Sequence, residues 1–173
     1  GAVVARLEDD DCNVRHLALR TLCQLEPPTL AQHAGAVVAS LEDSEWTARN
    51  KALETLGKLE PASLAQYADA VVARLEDDDG IVRDEALKTL QKLDPATLVH
   101  YANAVVERLD DSKTHVYMEA LETLGKLDPA ALVARLDDSH WEAGMGALDT
   151  MGKLEPASLA QYADSVVARL EDS

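Results

Sequence analysis

The chain has 173 residues, with 32 acidic and 16 basic side chains and a net charge of −16. This balance disfavours a nucleic-acid partner, because proteins that bind phosphate backbones displace counterions with Lys and Arg. Apolar residues make up 47% of the chain and Phe is absent, so we expect a folded core built from Leu, Val and Ala. No apolar run approaches the roughly 18 residues that span a bilayer, and we expect no membrane insertion.

A short motif of Leu, an acidic residue and Asp recurs along the whole chain. Its successive leucines are separated by 34, 34, 34, 27 and 34 residues. A fixed period of this size predicts a solenoid, in which each repeat buries its apolar face against its neighbours. The motif leucines are Leu7, Leu41, Leu75, Leu109, Leu136 and Leu170.

Each repeat is predicted to contain a first helix that starts at an acidic residue followed by Pro, such as Asp94-Pro95. The carboxylate can cap free backbone amides, and Pro suits the first helical position. Apolar residues over 64–75 recur at helical spacing and predict one amphipathic stripe. Arg74 falls in the last turn, where a cation is favoured by the helix dipole.

A second helix is predicted after each acidic turn. In the third copy, Val82, Ala86 and Leu87 have the spacing of a buried helical face. We expect such helices near 11–25, 45–59, 79–93, 113–127 and 140–154.

The 27-residue interval lacks seven residues of a first helix, between Pro129 and Leu136. Seven residues are close to two helical turns, so the shortened helix keeps its apolar face pointing inward. The next helix carries Gly144, Gly146 and Gly152, each of which costs up to about 1 kcal/mol relative to Ala. We therefore expect this repeat to be the loosest, either as a hinge or through tolerated decay.

The repeats resemble HEAT repeats over the whole chain. The resemblance lies in a Leu-x-Asp motif followed by Arg, Ala and Leu, here Leu75, Asp77, Arg83, Ala86 and Leu90. Together with the period, it implies an all-α, right-handed α-solenoid of stacked antiparallel helix pairs, with a period of 34 residues and one shortened repeat. We expect a single array over 1–173, of about five repeats, with both ends cut within a repeat.

In HEAT repeat proteins the Asp and the Arg form a polar ladder between neighbouring repeats, and the resemblance implies the same role here. Tyr117 and Gly144 replace this Arg in the last two copies, so we expect the ladder to fail there. The Asp and Arg stand six positions apart at Asp9/Arg15, Asp43/Arg49 and Asp77/Arg83.

The copies differ most on the outward side of the second helix. Segment 61–75 returns at 156–170 with a single change, and its exposed positions Gln66 and Asp69 vary little. In HEAT-type arrays the second helices line the concave surface, and designed HEAT-like libraries randomise equivalent positions. The resemblance therefore points to a partner-binding strip, with neutral drift of an exposed face as the alternative. The predicted partner-binding residues are Trp46, Thr47, Asn50, Lys51, Ile81, Asp84, Glu85, His115, Tyr117, Met118, Glu119, Trp141, Glu142 and Met145.

Apolar anchors are predicted toward the C-terminal part of this strip. Tyr117, Met118, Trp141 and Met145 are of residue types favoured at interfaces. In the alternative interpretation, the two methionines fill the space left by the missing Arg.

No catalytic, cofactor-binding or metal-binding pattern emerges from the sequence. The five histidines form no His-Glu-x-x-His helix, and no Gly-rich phosphate loop is present. We therefore expect a non-enzymatic scaffold for a protein or peptide partner, with no cofactor and no metal. The alternatives are an enzyme-associated HEAT-like protein of the bilin-lyase type, and a structural segment whose open ends stack end to end.

Cys12 and Cys23 are too few for a disulfide framework. On one helix they would lie roughly 16 Å apart, beyond the roughly 7 Å that a disulfide can bridge between Cα atoms. Two free thiols, together with the absence of a visible signal peptide, favour an intracellular protein.

Overall fold

The computed structural model describes residues 2–127, 148–150 and 152–153. These residues contain α-helices and short 3-10 helices, and no strand. Contacts divide the chain into an N-terminal block, Gly1–Ala104, and a C-terminal block, Val105–Ser173. The α-helices are α1 (Cys12–Leu22), α2 (Pro27–Ala31), α3 (Ala34–Ala39), α4 (Trp46–Leu56), α5 (Pro61–Leu64), α6 (Ala68–Ala73), α7 (Gly80–Leu90), α8 (Pro95–Leu98), α9 (Ala102–Glu107) and α10 (Thr114–Leu127).

The acidic turns cap some of the second helices and not others. Asp11 and Asp79 each accept a hydrogen bond of 2.8 Å from a backbone amide, that of Asn13 and Ile81 respectively. Glu45 precedes α4 at the same position, and its side chain makes no capping bond. The carboxylate of Glu stands one methylene farther from the backbone than that of Asp, which is the preferred capping residue.

The first helices are broken, whereas the apolar spacing predicted one helical stripe. A 3-10 helix, Ala65–Tyr67, separates α5 from α6, and Tyr67 has φ −118° and ψ 9°. Leu64 and Val71 are nevertheless both fully buried. The tighter 3-10 turn changes the path of the segment while its apolar residues stay on the buried side.

Each of the second helices in the N-terminal block packs on the next, α1 on α4 and α4 on α7. Leu19, Leu53 and Leu87, one from each helix, are fully buried. Burial of one such side chain stabilises the fold by about 2 kcal/mol. The predicted core of Leu, Val and Ala is confirmed for the described residues.

In the C-terminal block, α10 packs against the 3-10 helix Arg108–Asp110. Val116 and Leu121 are fully buried there. The shortened repeat, with Gly144 and Gly146, lies outside the described residues. No helix among the residues that are described is long and apolar enough to cross a membrane.

Candidate partner-binding surface

Arginines of the second helices bind aspartates of the following repeat. Nε and Nη2 of Arg15 donate to the Asp43 carboxylate at 2.6 and 2.7 Å. The same two atoms of Arg49 donate to Asp77, both at 2.7 Å. Two parallel charge-assisted bonds fix orientation as well as distance. The ladder implied by the resemblance is thus confirmed between the first three copies, and it holds α1, α4 and α7 in register.

The ladder lowers the pKa of both aspartates. At Asp43, the hydrogen bonds from Arg15 lower the pKa below its ordinary value and outweigh the opposing effect of burial. At Asp77, burial raises the pKa, but hydrogen bonds from Arg49 and the Asp79 amide bring it below the ordinary value. The two carboxylates are only 7% and 3% exposed, so the ion pairs are shielded from solvent.

Arg74 makes a second contact between repeats, which the sequence analysis missed. Its Nη1 donates to the Leu41 carbonyl at 2.9 Å, and its Nη2 lies 3.0 Å from a Glu42 carboxylate oxygen. The expected role was an interaction with its own helix dipole. A recurring Arg directly before the motif leucine was the available signal, at Arg6, Arg74, Arg108, Arg135 and Arg169.

The predicted partner-binding residues of α4 and α7 occupy the first, second, fifth and sixth positions of these helices. Residues three and four apart share a helix face, so these positions form one surface, which we call the second-helix face. Trp46 and Ile81 are 39% and 46% exposed. The other predicted residues of the two helices are half-buried, namely Thr47, Asn50, Lys51, Asp84 and Glu85.

Leu17 of α1 lies on the same face and was not selected from the sequence. It stands at the helix position that Lys51 occupies in α4 and is 49% exposed. An apolar residue at a position that is charged in the next two copies was the signal that could have identified it.

Charged groups on this face pair along their own helices. Lys51 Nζ lies 2.6 Å from a Glu54 carboxylate oxygen, and Lys88 Nζ lies 2.6 Å from Asp84. The hydrogen bond from Lys51 lowers the pKa of Glu54. These two pairs are neutral, and Glu85 adds one further carboxylate to the face.

Two polar atoms at the fifth helix position lack a hydrogen-bond partner among the described residues. They are Nδ1 of His16 on α1 and Oδ1 of Asn50 on α4, and both are buried. A buried polar atom left unpaired costs about 1–3 kcal/mol.

The remaining predicted residues belong to the C-terminal block. On α10, His115 is exposed, while Tyr117, Met118 and Glu119 are half-buried. Trp141, Glu142 and Met145 lie outside the described residues.

The described surface carries two half-buried cysteines. Cys12 and Cys23 are free thiols. Within the described ranges, no group of three or more His, Cys, Asp or Glu side chains is placed to hold a metal ion. Apolar contact and hydrogen bonding are the interactions that this surface supplies.

Comparison with known proteins identifies the family. A family model for HEAT repeats matches residues 2–91, more than half of the chain. A search of curated proteins with this chain found no match.

Three solved structures share the fold at low identity. A designed armadillo repeat protein in complex with the peptide (KR)4 is 19% identical, with 99% of this chain and 90% of that chain covered and a TM-score of 0.66. A structure of computationally designed armadillo repeat proteins for modular peptide recognition is 20% identical, with 99% of this chain and 90% of that chain covered and a TM-score of 0.60. The MAST/Orbit N-terminal domain is 15% identical, with 96% of this chain and 95% of that chain covered and a TM-score of 0.56. The chain therefore belongs to the HEAT repeat family, and its fold is an all-α solenoid.

Proposed function

We propose that this repeat protein is a non-enzymatic scaffold that binds a protein or peptide segment on its second-helix face. The observation that carries the proposal is the exposure of Trp46 and Ile81, large apolar side chains at positions where the copies differ. Burial of such side chains at an interface is favourable, and aromatic residues are enriched among binding hot spots. Similar structures include repeat proteins designed for peptide recognition, which supports a partner of this kind.

Neutral drift of an exposed face is the alternative. Gln66 and Asp69 of the first helix recur as Gln161 and Asp164 but are replaced by His100 and Asn103 in the intervening copy. The second-helix position of Ile81 varies more, as selection for different contacts at successive positions would produce: the five copies carry Asn13, Thr47, Ile81, His115 and Glu142.

A random peptide library displayed on phage tests the proposal. The affinities of the selected peptides are then measured for the full chain and for a double variant, Trp46→Ser with Ile81→Ser. This variant removes both exposed apolar side chains. We expect affinity to fall at least tenfold, because the substituted side chains supply the apolar contact area.

The matched control is Val99→Ser with Val106→Ser. These valines are also exposed and lie outside the second helices, so their replacement should leave affinity unchanged. Failure to select any peptide, or equal loss of affinity in both double variants, would contradict the proposal.

We also propose that a second copy of the chain binds the side of α1 that carries Thr21. Thr55 and Thr89 are buried against the preceding second helix. The Thr89 hydroxyl donates to the Leu53 carbonyl at 3.2 Å, while the Thr55 hydroxyl donates to the Lys51 carbonyl of its own helix at 2.7 Å and lies 3.5 Å from the Leu19 carbonyl. Thr21 holds the same position in α1 and is exposed. The side of α1 that carries it thus matches surfaces that are covered in α4 and α7.

A hollow of about 230 Å³ lies beside Thr21, with Val3 and Leu25 among its lining residues. Light scattering over a concentration series should show a dimer or larger species that Val3→Glu and Leu25→Glu dissociate. A monomer at every concentration would contradict this second proposal.

A further inference from the structure

A hollow of about 180 Å³ lies between the 3-10 helix Val4–Glu8 and α3. We call it the Ser40 hollow; Leu7, Glu8, Ser40 and Asp43 are among its lining residues. Glu8 is exposed, so the hollow opens to solvent. A cavity of about 150 Å³ can hold benzene, and the Ser40 hollow is therefore large enough for the smaller guanidinium group.

Ser40 interrupts the series of arginines that directly precede the motif leucines. In the next copy the equivalent residue is Arg74, and its guanidinium group meets three acceptors. Its Nη1 donates to the Leu41 carbonyl at 2.9 Å, and its Nη2 lies 3.0 Å from the Glu42 carboxylate. The Asp77 carboxylate lies 3.8 Å from Nη1.

The Ser40 hollow keeps the counterparts of all three acceptors. The residues that stand 34 positions earlier are Leu7, Glu8 and Asp43, and each of them lines the hollow. The side chain of Ser40 ends at its hydroxyl group, so it cannot supply the guanidinium group that Arg74 supplies one repeat later. The hollow thus combines a known set of guanidinium acceptors with the space that an arginine would fill.

Glu8 provides the charge that a ligand in the hollow would meet. The Asp43 carboxylate is already bound by Arg15 at 2.6 Å. Glu42 also lines the hollow, and it is bound by Arg74. Within the described part of the chain, no ion pair involves Glu8. A cation in the hollow would therefore pair with this carboxylate, and the net charge of −16 favours its approach.

We propose that the Ser40 hollow binds an arginine side chain of a partner protein. The guanidinium group donates to the Leu7 carbonyl and the Glu8 carboxylate, in the arrangement that Arg74 adopts one repeat later. Arginine is favoured over lysine, because a planar guanidinium group donates to two acceptors in fixed directions. Free arginine is disfavoured, because every charged residue that lines the hollow is acidic and repels its α-carboxylate.

The proposal goes beyond the proposed function, since the hollow is lined by first helices and acidic turns and not by the second-helix face. Amide chemical shifts of the ¹⁵N-labelled full chain provide the test, in a titration with the tripeptide acetyl-Gly-Arg-Gly-amide. The controls are the same tripeptide with Lys or with citrulline, which has the shape of Arg without its charge, and free arginine. We expect the amide shifts of Leu7, Glu8 and Ser40 to saturate with the Arg tripeptide. Its Kd should be at least fivefold lower than that of any control and should rise with NaCl.

Three variants locate the binding. Ser40→Arg should abolish it, because the chain's own guanidinium group then fills the hollow. Gln32→Arg adds the same charge at an exposed position outside the hollow and should leave the Kd within twofold. Glu8→Gln should raise the Kd at least fivefold, and its exposed position makes it compatible with the fold.

The proposal is overturned by any of four results: no saturable shift with the Arg tripeptide, equal affinity for the Lys or citrulline tripeptide, unchanged affinity in Ser40→Arg, or unchanged affinity in Glu8→Gln. Tighter binding of free arginine would also overturn it, because the ligand would then be a small molecule. The library experiment tests the second-helix face separately, so either proposal can fail while the other stands.

Discussion

Arg49 joins two repeats through a single guanidinium group. Its Nε and Nη2 bind Asp77 in the next repeat, while its Nη1 donates to the backbone carbonyl groups of Asp43 and Ser44 at 2.8 and 3.2 Å. The same side chain therefore fixes the acidic turn before its own helix and the position of the next repeat. A residue that serves both purposes is costly to replace.

We expect Arg49→Ala to lower the free energy of unfolding by about 3 kcal/mol, because buried Asp77 loses both guanidinium hydrogen bonds and keeps only the weaker contact with Arg74 at 3.8 Å. Arg49→Lys should recover only part of this loss, since an ammonium group cannot form the two-pronged contact. Urea denaturation of the three proteins measures both differences. Arg6→Ala is the control: Arg6 also pairs with an aspartate, Asp9, but is 67% exposed, and its loss should cost less than about 1 kcal/mol. Equal effects of the two alanine substitutions would contradict a structural role for the ladder.

The lowered pKa values of Asp43 and Asp77 predict the direction of the pH dependence. Ordinary Asp groups titrate near pH 4, so as the pH falls the unfolded chain takes up protons before the folded chain does. The stability from these two groups is complete above that range and is lost as the pH falls through the folded pKa values. Urea midpoints between pH 7 and pH 3 should decline less steeply in Asp43→Asn with Asp77→Asn than in the unchanged chain. Parallel declines would contradict the assignment.

The spacing of Asp and Arg in the sequence was sufficient to predict the ladder through its resemblance to HEAT repeats. The contacts of Arg74 were not predicted, because its position in the last turn of a first helix already had a local explanation. Its bond to the Leu41 carbonyl depends on how closely two repeats stack, and the sequence within one repeat does not specify that distance.

At the scale of the helix, the three second helices of the N-terminal block differ in how they begin. Asp11 and Asp79 cap α1 and α7 through backbone amides, whereas Glu45 provides no such bond for α4. The free amides at the start of α4 are thus a local weakness in the middle helix of the block.

We expect Glu45→Asp to raise the free energy of unfolding by about 0.5–1 kcal/mol, because the shorter side chain can cap α4. The reverse change, Asp79→Glu, should lower it by a similar amount in α7. Thermal denaturation of both variants and the unchanged chain measures these shifts. Unchanged stability in both variants would show that charge near the helix, which these substitutions conserve, and not the capping bond, controls stability.

The break in the first helices shows a limit of prediction from apolar spacing. The pattern over 64–75 correctly placed Leu64 and Val71 in the core. It could not reveal the 3-10 turn between them, because the side chains remain on the buried side whether that turn is α-helical or tighter.

At the scale of the whole molecule, the stability of a solenoid is close to a sum of repeat terms and nearest-neighbour terms. Within the N-terminal block, α1 packs on one second helix, α4, while α4 packs on both α1 and α7. The Arg15–Asp43 pair therefore ties an outer helix to the block, and Arg49–Asp77 crosses its interior. Two chemically similar ion pairs should have different consequences when they are broken.

Hydrogen exchange measured by mass spectrometry tests this difference. Arg15→Ala should speed exchange in α1 and leave α4 and α7 protected, because an outer helix can open without its neighbours. Arg49→Ala should speed exchange in α1 and α4 together, since loss of the interior contact releases both from α7. Every 1.4 kcal/mol of lost stability corresponds to about a tenfold faster exchange when exchange follows local opening. Uniform acceleration across all three helices in both variants would instead show that the block opens as one cooperative unit, with no separate contribution from its individual interfaces.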